Sequence, residues 1–181
     1  MNNYEIVLYI NLLQDCIICR ATPPKVAMNC QKRLLKELLA LSTEPSQTIK
    51  LQPLDPGSML VWTAILPGPK DTPYAGGWFK LLINIPQGYP IEPPNIKFVT
   101  KICHPNIHFK TGEICIDLLA ARWTPAYTLL TACEAIGMLL VYPEPDSPLN
   151  CDAANILRAG DIRGFDSLVQ MYIEMYAISE T

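Results

Sequence analysis

The sequence is poor in charged residues and has only two histidines. Charged side chains make up 17% of its 181 residues and the net charge is -3 at pH 7. Nothing in this balance predicts nucleic-acid binding, which usually requires a basic surface. Half of the residues are apolar, which is typical of a folded globule rather than a disordered chain. The length fits one domain with one core.

A long hydrophobic run is also missing. The apolar stretch from Tyr4 to Cys19 includes Glu5 and Asp15 and falls short of the roughly 20 residues that span a bilayer. We therefore predict no transmembrane helix. Residues 1–27 are interpreted as an N-terminal extension, either helical or poorly ordered, with docking to a partner or a membrane as the alternative.

The seven cysteines show no disulfide pattern. Their number is odd and their spacing irregular, and together with the lack of a signal peptide this favours free thiols in a reducing compartment. Cys16 and Cys19 form a single pair without a second pair at ligand spacing, so no metal site is expected. We predict that most of the others are small buried hydrophobic residues, namely Cys30, Cys103, Cys133 and Cys151.

Periodicity and turn residues predict an α+β domain over residues 28–181. An amphipathic helix comes first, then a four-stranded antiparallel meander, a long active-site loop and three C-terminal helices. The predicted helices cover 28–42, Leu129–Leu140, Asp152–Arg158 and Phe165–Ile178, and the predicted strands cover 48–54, 60–66, 78–86 and Ile96–Val99.

The loop from Lys101 to Trp123 holds both histidines and a cysteine between two short motifs. His104-Pro105-Asn106 precedes Cys115, and Trp123-Thr124-Pro125-Ala126 follows it. This arrangement resembles the active-site signature of ubiquitin-conjugating enzymes, and upstream turns such as Pro67-Gly68-Pro69 match the family in order and spacing. The resemblance covers residues 28–181 and implies the ubiquitin-conjugating (UBC) fold, with ubiquitin carried as a thioester on Cys115.

The chemistry of cysteine agrees with that role. A free thiol has a pKa of about 8.5, so a small thiolate fraction at neutral pH accepts an activated acyl group without a strong base. Asn106 either donates to the oxyanion formed during transfer or holds the loop. His104 is interpreted as structural rather than as a base.

Three residues are predicted to position the acceptor: Asp117, Ser147 and His108. Ser147 directly precedes Pro148, and the family often has aspartate at the position that Ser147 occupies. Neutralising a lysine at pH 7 costs about 4.6 kcal/mol, whereas generating a thiolate costs about 2 kcal/mol. We therefore hypothesise that this site, without that carboxylate, tolerates a cysteine acceptor better than a lysine-optimised site does.

Two docking surfaces are implied by the resemblance. Lys32, Arg33 and Lys36 would bind the ubiquitin-activating enzyme, with a solvated helix face as the alternative. Ile91, Pro125 and Ala126 would form an apolar contact for a RING-type ligase. No bound cofactor is expected, since ATP is used by the upstream activating enzyme.

The segment from Thr111 to Cys115 and the stretch from Asp146 to Asp161 are similar to the peroxisome-biogenesis branch of the family. That similarity implies a peripheral location on the cytosolic face of the peroxisomal membrane, a membrane-anchored partner and import receptors as substrates. A general cytosolic conjugating enzyme is the alternative within the family. A ubiquitin-binding variant of the same fold without activity is the non-enzyme alternative, and a cysteine hydrolase is the other enzyme alternative. Both fit the motifs less well.

Overall fold

The computed structural model describes residues 25–46, 48–55, 58–115 and 123–178. The extension predicted over residues 1–27 lies almost entirely outside these ranges. Four helices and four strands follow in chain order within the described residues: α1 (Lys25–Thr43), β1 (Lys50–Asp55), β2 (Ser58–Pro67), β3 (Trp78–Asn84), β4 (Asn95–Phe98), α2 (Leu129–Val141), α3 (Cys151–Arg158) and α4 (Ile162–Tyr176).

The strands form one antiparallel sheet in the order β1-β2-β3-β4. Burial alternates along β3, where Phe79, Leu81 and Ile83 are buried and the residues between them are partly exposed. Because successive side chains of a strand point to opposite faces, one face of the sheet builds the core. Trp62 of β2 is fully buried on that face, opposite Ile83. The predicted meander is confirmed.

The helices pack against this core. Leu34 and Leu38 of α1 are buried, and α2 buries Leu129, Ile136 and Leu140 among other residues. A capping box at Thr128 starts α2, since the Thr128 side chain accepts a hydrogen bond from the backbone N–H of Thr131.

The predicted boundaries lie within three residues of those observed, including α1, which begins at Lys25 rather than at 28. Two of the differences have a clear physical reason. Helix α4 begins at Ile162 rather than Phe165, because the Asp161 side chain accepts a hydrogen bond from the N–H of Gly164 and caps the helix earlier. Strand β3 ends at Asn84, where its pairing with β2 and β4 stops. Within the described ranges, no helix is both long and apolar enough to cross a membrane.

The prediction for the cysteines is correct in three of four cases. Cys30, Cys103 and Cys133 are buried, and burial raises the pKa of Cys133 to about 12 and that of Cys103 to about 11. Cys151 is exposed instead, which corrects the prediction. It is the first residue of α3 and follows the capping residue Asn150, so its side chain lies at a helix end rather than in the core.

A buried carboxylate joins three parts of the fold. Glu37 of α1 is only 7% exposed. Its Oε1 accepts hydrogen bonds from Arg33 Nε at 2.5 Å and from the hydroxyl of Tyr89 at 2.6 Å, and its Oε2 accepts one from the N–H of Leu129 at 2.8 Å. Burial and this neighbouring carboxylate raise the pKa of Tyr89. Helix α1, the proline corner after β3 and the start of α2 are therefore tied to one side chain.

We expect Glu37→Ala to lower the free energy of unfolding by about 3 kcal/mol, because it leaves a buried hydroxyl and a helix N-terminus without their acceptor. Urea denaturation measures the loss. The matched control is Glu134→Ala on α2, whose exposed carboxylate should change stability by less than about 0.5 kcal/mol. Equal losses in the two variants would contradict the role of Glu37.

Candidate active site

A tight turn over residues 108–113 precedes Cys115 and fixes its position. The N–H of His108 donates to the carbonyl of Glu113 at 2.8 Å, and the N–H of Gly112 donates back to the carbonyl of His108 at 2.9 Å. Gly112 has a positive φ of 71°, and a Cβ there would lie 1.9 Å from the carbonyl oxygen of Phe98. Only glycine fits at position 112, because its backbone lies directly against β4 and a side chain there would collide with Phe98.

Cys115 lies beside Asn106 and Ser147. Its N–H donates to the carbonyl of Asn106 at 3.0 Å, and its Sγ is 3.7 Å from the hydroxyl oxygen of Ser147. The residue is 7% exposed, so the thiol is recessed, although a carrier of ubiquitin requires an accessible sulfur. It is nevertheless separate from the hydrophobic core cluster, and Ser147 next to it is exposed. The sulfur therefore lies at the edge of a polar loop.

The Asn106 side chain fastens that loop. Its Nδ2 donates to the carbonyls of Glu144 at 2.7 Å and Ser147 at 3.0 Å, and its Oδ1 accepts from the N–H of Glu144 at 2.8 Å. Both amide hydrogens are thus engaged, which favours the loop-holding role. Donation to an oxyanion stays a prediction, and it requires Nδ2 to exchange one carbonyl for the reacting oxygen.

His104 is structural, as predicted. Its Nδ1 accepts a hydrogen bond from the N–H of Asn106 at 3.0 Å, so its Nε2 carries the proton and donates to the carbonyl of Leu139 at 3.0 Å. Desolvation lowers the pKa of His104 to about 4. A neutral imidazole held by two backbone partners positions the start of the loop but provides no base for Cys115.

Backbone contacts complete the connection between the two loops. The carbonyl of Pro105 accepts from the N–H groups of Leu149 and Asn150 at 2.8 and 2.9 Å. Arg158 of α3 donates to the carbonyl of Pro145, and its Nε lies 3.8 Å from a carboxylate oxygen of Asp146. Sequence reasoning noted Arg158 only as part of the resemblance and assigned it no role. A single arginine in an amphipathic helix gives no signal of the loop that it contacts.

The structure gives less support to the other two residues that were predicted to position the acceptor, His108 and Asp117. His108 accepts hydrogen bonds at Nδ1 from the N–H and hydroxyl of Thr111, at 3.2 and 3.0 Å, so its imidazole is engaged within its own turn. Asp117 lies outside the described residues. The structure thus brings together Cys115, Asn106 and Ser147.

The two predicted docking surfaces differ in how far the structure supports them. Ile91 is 79% exposed, and Pro125 and Ala126 are also exposed, so the apolar surface is available. Lys32 and Lys36 are exposed on α1. The guanidinium of Arg33 donates to Glu37 and to the carbonyls of Pro125 and Tyr127, so it contacts this chain's own atoms. Docking of the activating enzyme at Lys32, Arg33 and Lys36 stays a prediction.

Among the described residues, no group of histidine, cysteine, aspartate or glutamate side chains is arranged to hold a metal ion. The site as described consists of a thiol, a hydroxyl, an amide and backbone groups. Such a set suits acyl transfer through sulfur, in which the protein supplies the nucleophile and the orientation.

Comparison with known proteins gives consistent matches. The family model described as "Ubiquitin-conjugating enzyme" matches residues 33–173. Ubiquitin-conjugating enzyme E2 pex4 of Dictyostelium discoideum is 55% identical over 144 residues, covering 80% of this chain and 97% of that protein. Protein PEROXIN-4 of Arabidopsis thaliana is 50% identical over 147 residues, covering 81% and 94%.

A solved structure also matches over most of the domain. It is the crystal structure of H. polymorpha ubiquitin conjugating enzyme Pex4p in complex with the soluble domain of Pex22p. The TM-score is 0.78 at 39% sequence identity, with 82% of this chain and 98% of that chain covered. The similarity therefore covers most of both chains.

The pKa of His104 predicts a loss of stability in mild acid. In the unfolded chain the imidazole takes up a proton as the pH falls through about 6.5, whereas in the folded chain it remains neutral until about pH 4. The unfolded state then binds more protons, so the contribution of His104 to stability falls by about 2 kcal/mol between pH 7.5 and pH 5.

NMR titration of the imidazole signals measures this directly. The signal of His104 should not shift between pH 8 and pH 5, and His108→Gln assigns it, since the chain has only two histidines. The urea midpoint of His108→Gln should keep the same fall with acid. A His104 signal that titrates near pH 6.5 would contradict the buried neutral state.

Proposed function

Since the chain belongs to the ubiquitin-conjugating enzyme family, we propose that Cys115 is the residue that carries ubiquitin and transfers it to an acceptor on another protein. The chain has the family's UBC fold and is an enzyme of ubiquitin conjugation. The observation that supports Cys115 is its place beside Asn106 and an exposed Ser147. Cys30, Cys103 and Cys133, in contrast, belong to the hydrophobic core.

The proposed reaction has two acyl-transfer steps. In loading, the thiolate of Cys115 attacks the thioester carbonyl of ubiquitin held by the activating enzyme, a new carbon–sulfur bond forms, and the sulfur of the activating enzyme leaves as a thiolate. In discharge, a nitrogen or sulfur of the acceptor attacks the carbonyl and the Cys115 sulfur leaves. Loading exchanges one thioester for another, and discharge converts the thioester into another thioester or into a more stable amide, with an attacking amine releasing a proton to solvent. Neither step therefore requires ATP or a metal.

The loop around Ser147 would guide the acceptor. Asn106 and Pro105 hold this loop against the cysteine segment, and Ser147 Oγ is 3.7 Å from the sulfur. Ser147 is therefore well placed to contact an incoming amine or thiol. A hydroxyl there orients a nucleophile without strongly favouring a protonated amine, which supports the proposal of a cysteine acceptor alongside lysine.

The cellular role is proposed from the relatives. Two relatives are named as peroxin-4 or pex4, and the matched structure shows Pex4p with the soluble domain of Pex22p. We propose that this chain acts at the cytosolic face of the peroxisomal membrane, bound to a membrane-anchored partner, with RING-type ligases, and that it modifies import receptors. A general cytosolic role is the second candidate. It would be favoured if the enzyme were active without a membrane-anchored partner.

The assignment of Cys115 predicts a specific adduct. Incubation with activating enzyme, ubiquitin and ATP should give a product on a non-reducing gel that disappears with thiol reagent and is absent in Cys115→Ala. Cys151→Ala is the matched control, because Cys151 is the exposed cysteine of the described residues, and it should keep the adduct. Failure of the wild type to form any adduct would support a ubiquitin-binding protein instead.

The acceptor hypothesis predicts the effect of a charge at position 147. Ser147→Asp should raise discharge to free lysine about tenfold relative to free cysteine, because a carboxylate favours and orients the amine. Ser147→Ala is the control, since it removes the hydroxyl without adding charge. Single-turnover discharge to each amino acid measures the ratio, and an unchanged ratio in Ser147→Asp would overturn the hypothesis.

A further inference from the structure

The guanidinium of Arg33 bridges α1 and the loop that follows Trp123. Nη1 donates to the carbonyl of Pro125 at 2.9 Å and Nη2 donates to the carbonyl of Tyr127 at 2.7 Å, while Nε donates to Glu37. These partners lie 92 and 94 residues away in sequence. Each branch of the planar guanidinium thus has its own acceptor.

Contacts with Glu37 and Tyr89 fix the orientation of the Arg33 guanidinium. The buried carboxylate of Glu37 fixes Nε, and the Arg33 guanidinium lies over the ring of Tyr89 with 5.9 Å from Cζ to the ring centroid. Glu37 also accepts a hydrogen bond from the Tyr89 hydroxyl. The direction of the guanidinium is therefore set by buried groups and not by solvent.

The same cluster reaches the second apolar loop. The indole of Trp123 donates to the carbonyl of Pro90 at 2.9 Å, next to the exposed Ile91. The Trp123 ring contacts both Tyr89 and Tyr127, with centroids 5.9 and 6.0 Å apart. The loops that carry Ile91 and Pro125 are thus joined through one aromatic cluster, with Arg33 at its α1 side.

We propose that Arg33 is a positioning residue for ligase docking, which holds the backbone of Pro125 and Tyr127 so that Pro125, Ala126 and Ile91 present one ordered apolar surface. This inference rests on the proposed docking of a RING-type ligase at that surface. It also separates the functions of the basic face of α1. Lys32 and Lys36 remain the exposed cations for the activating enzyme, and Arg33 acts on the surface used for discharge.

The solvent exposure of the two carbonyl contacts explains why the effect should be on the order of the loop rather than on folding. The hydrogen bonds of Arg33 to Pro125 and Tyr127 are solvent-exposed, so water replaces them when Arg33 is changed. The loop then samples more conformations, and a ligase that binds it must first order it, which weakens binding. Lysine keeps the charge but has no planar fork, so it cannot donate to Glu37 and to both carbonyls at the same time.

The decisive variant is therefore Arg33→Lys. We expect discharge stimulated by a RING domain to fall about tenfold, which corresponds to about 1.4 kcal/mol, while loading by the activating enzyme and discharge without ligase stay at the wild-type rate. The RING domain is one chosen because it accelerates discharge of the wild-type thioester to free lysine. Arg163→Lys, the same change at an exposed position of α4, is the matched control and should equal the wild type.

A second measurement needs no ligase. Hydrogen–deuterium exchange should show the amide of Tyr127, which donates to the carbonyl of Thr124 at 3.0 Å, exchanging about tenfold faster in Arg33→Lys. Exchange in the strands should be unchanged, which excludes general unfolding.

The outcomes separate the two levels of the proposal. Wild-type rates of ligase-stimulated discharge and loop exchange in Arg33→Lys would overturn the positioning role. Slower loading in Arg33→Lys with normal ligase stimulation would also overturn it, since Arg33 would then serve the activating enzyme through its shape. If no RING domain accelerates discharge of the wild type, the proposed ligase docking is wrong, and the exchange measurement still decides whether Arg33 orders the loop.

Discussion

The side-chain amide of Asn106 is the contact on which the geometry of the site depends. It joins the segment before Cys115 to a loop 38 to 41 residues later through hydrogen bonds to Glu144 and Ser147. These contacts require two donor hydrogens and one acceptor, which a side-chain amide has. An ionised carboxylate has no donor, and a hydroxyl has only one. Because the backbone of Asn106 also accepts from the N–H of Cys115, one residue sets the position of both the nucleophile and its polar neighbour.

A second buried polar group organises the opposite side of the domain. Glu37 orders helix α1, the proline corner and α2 through its two oxygens, and it orients Arg33 toward the loop of Pro125. Helix α1 carries Lys32 and Lys36, which are expected to bind the activating enzyme, and through Arg33 it also contacts the loop of Pro125, which is expected to bind a ligase. The two expected docking surfaces are therefore connected through α1. Each of the two polar groups, Asn106 and Glu37, has all its partners within the fold, which is the condition under which a buried polar group stabilises a unique arrangement.

Much of the fold could be predicted because it depends on local pattern. The spacing of Leu34 and Leu38 predicts a helix, and the turns between the strands leave few arrangements besides a meander. Cys115 could be identified from the motifs around it. The prediction was wrong for Cys151, because a helix end and a buried helix face have the same composition over a few residues. Arg33 was interpreted as part of a solvated basic helix face because basic residues on helices are usually exposed, and its contacts with Pro125 and Tyr127 could not be predicted from the sequence.

The sequence by itself determined the fold class, the approximate positions of the helices and strands, and the family, and it singled out Cys115 as the proposed carrier of ubiquitin. The patterns that give each of these lie in residues close to one another along the chain. Only the tertiary structure decided what Asn106, Glu37 and Arg33 do. Each of them has a backbone partner 38 to 94 residues away. A backbone carbonyl or N–H is the same for almost every residue type, so no sequence pattern marks which of them a distant side chain will meet.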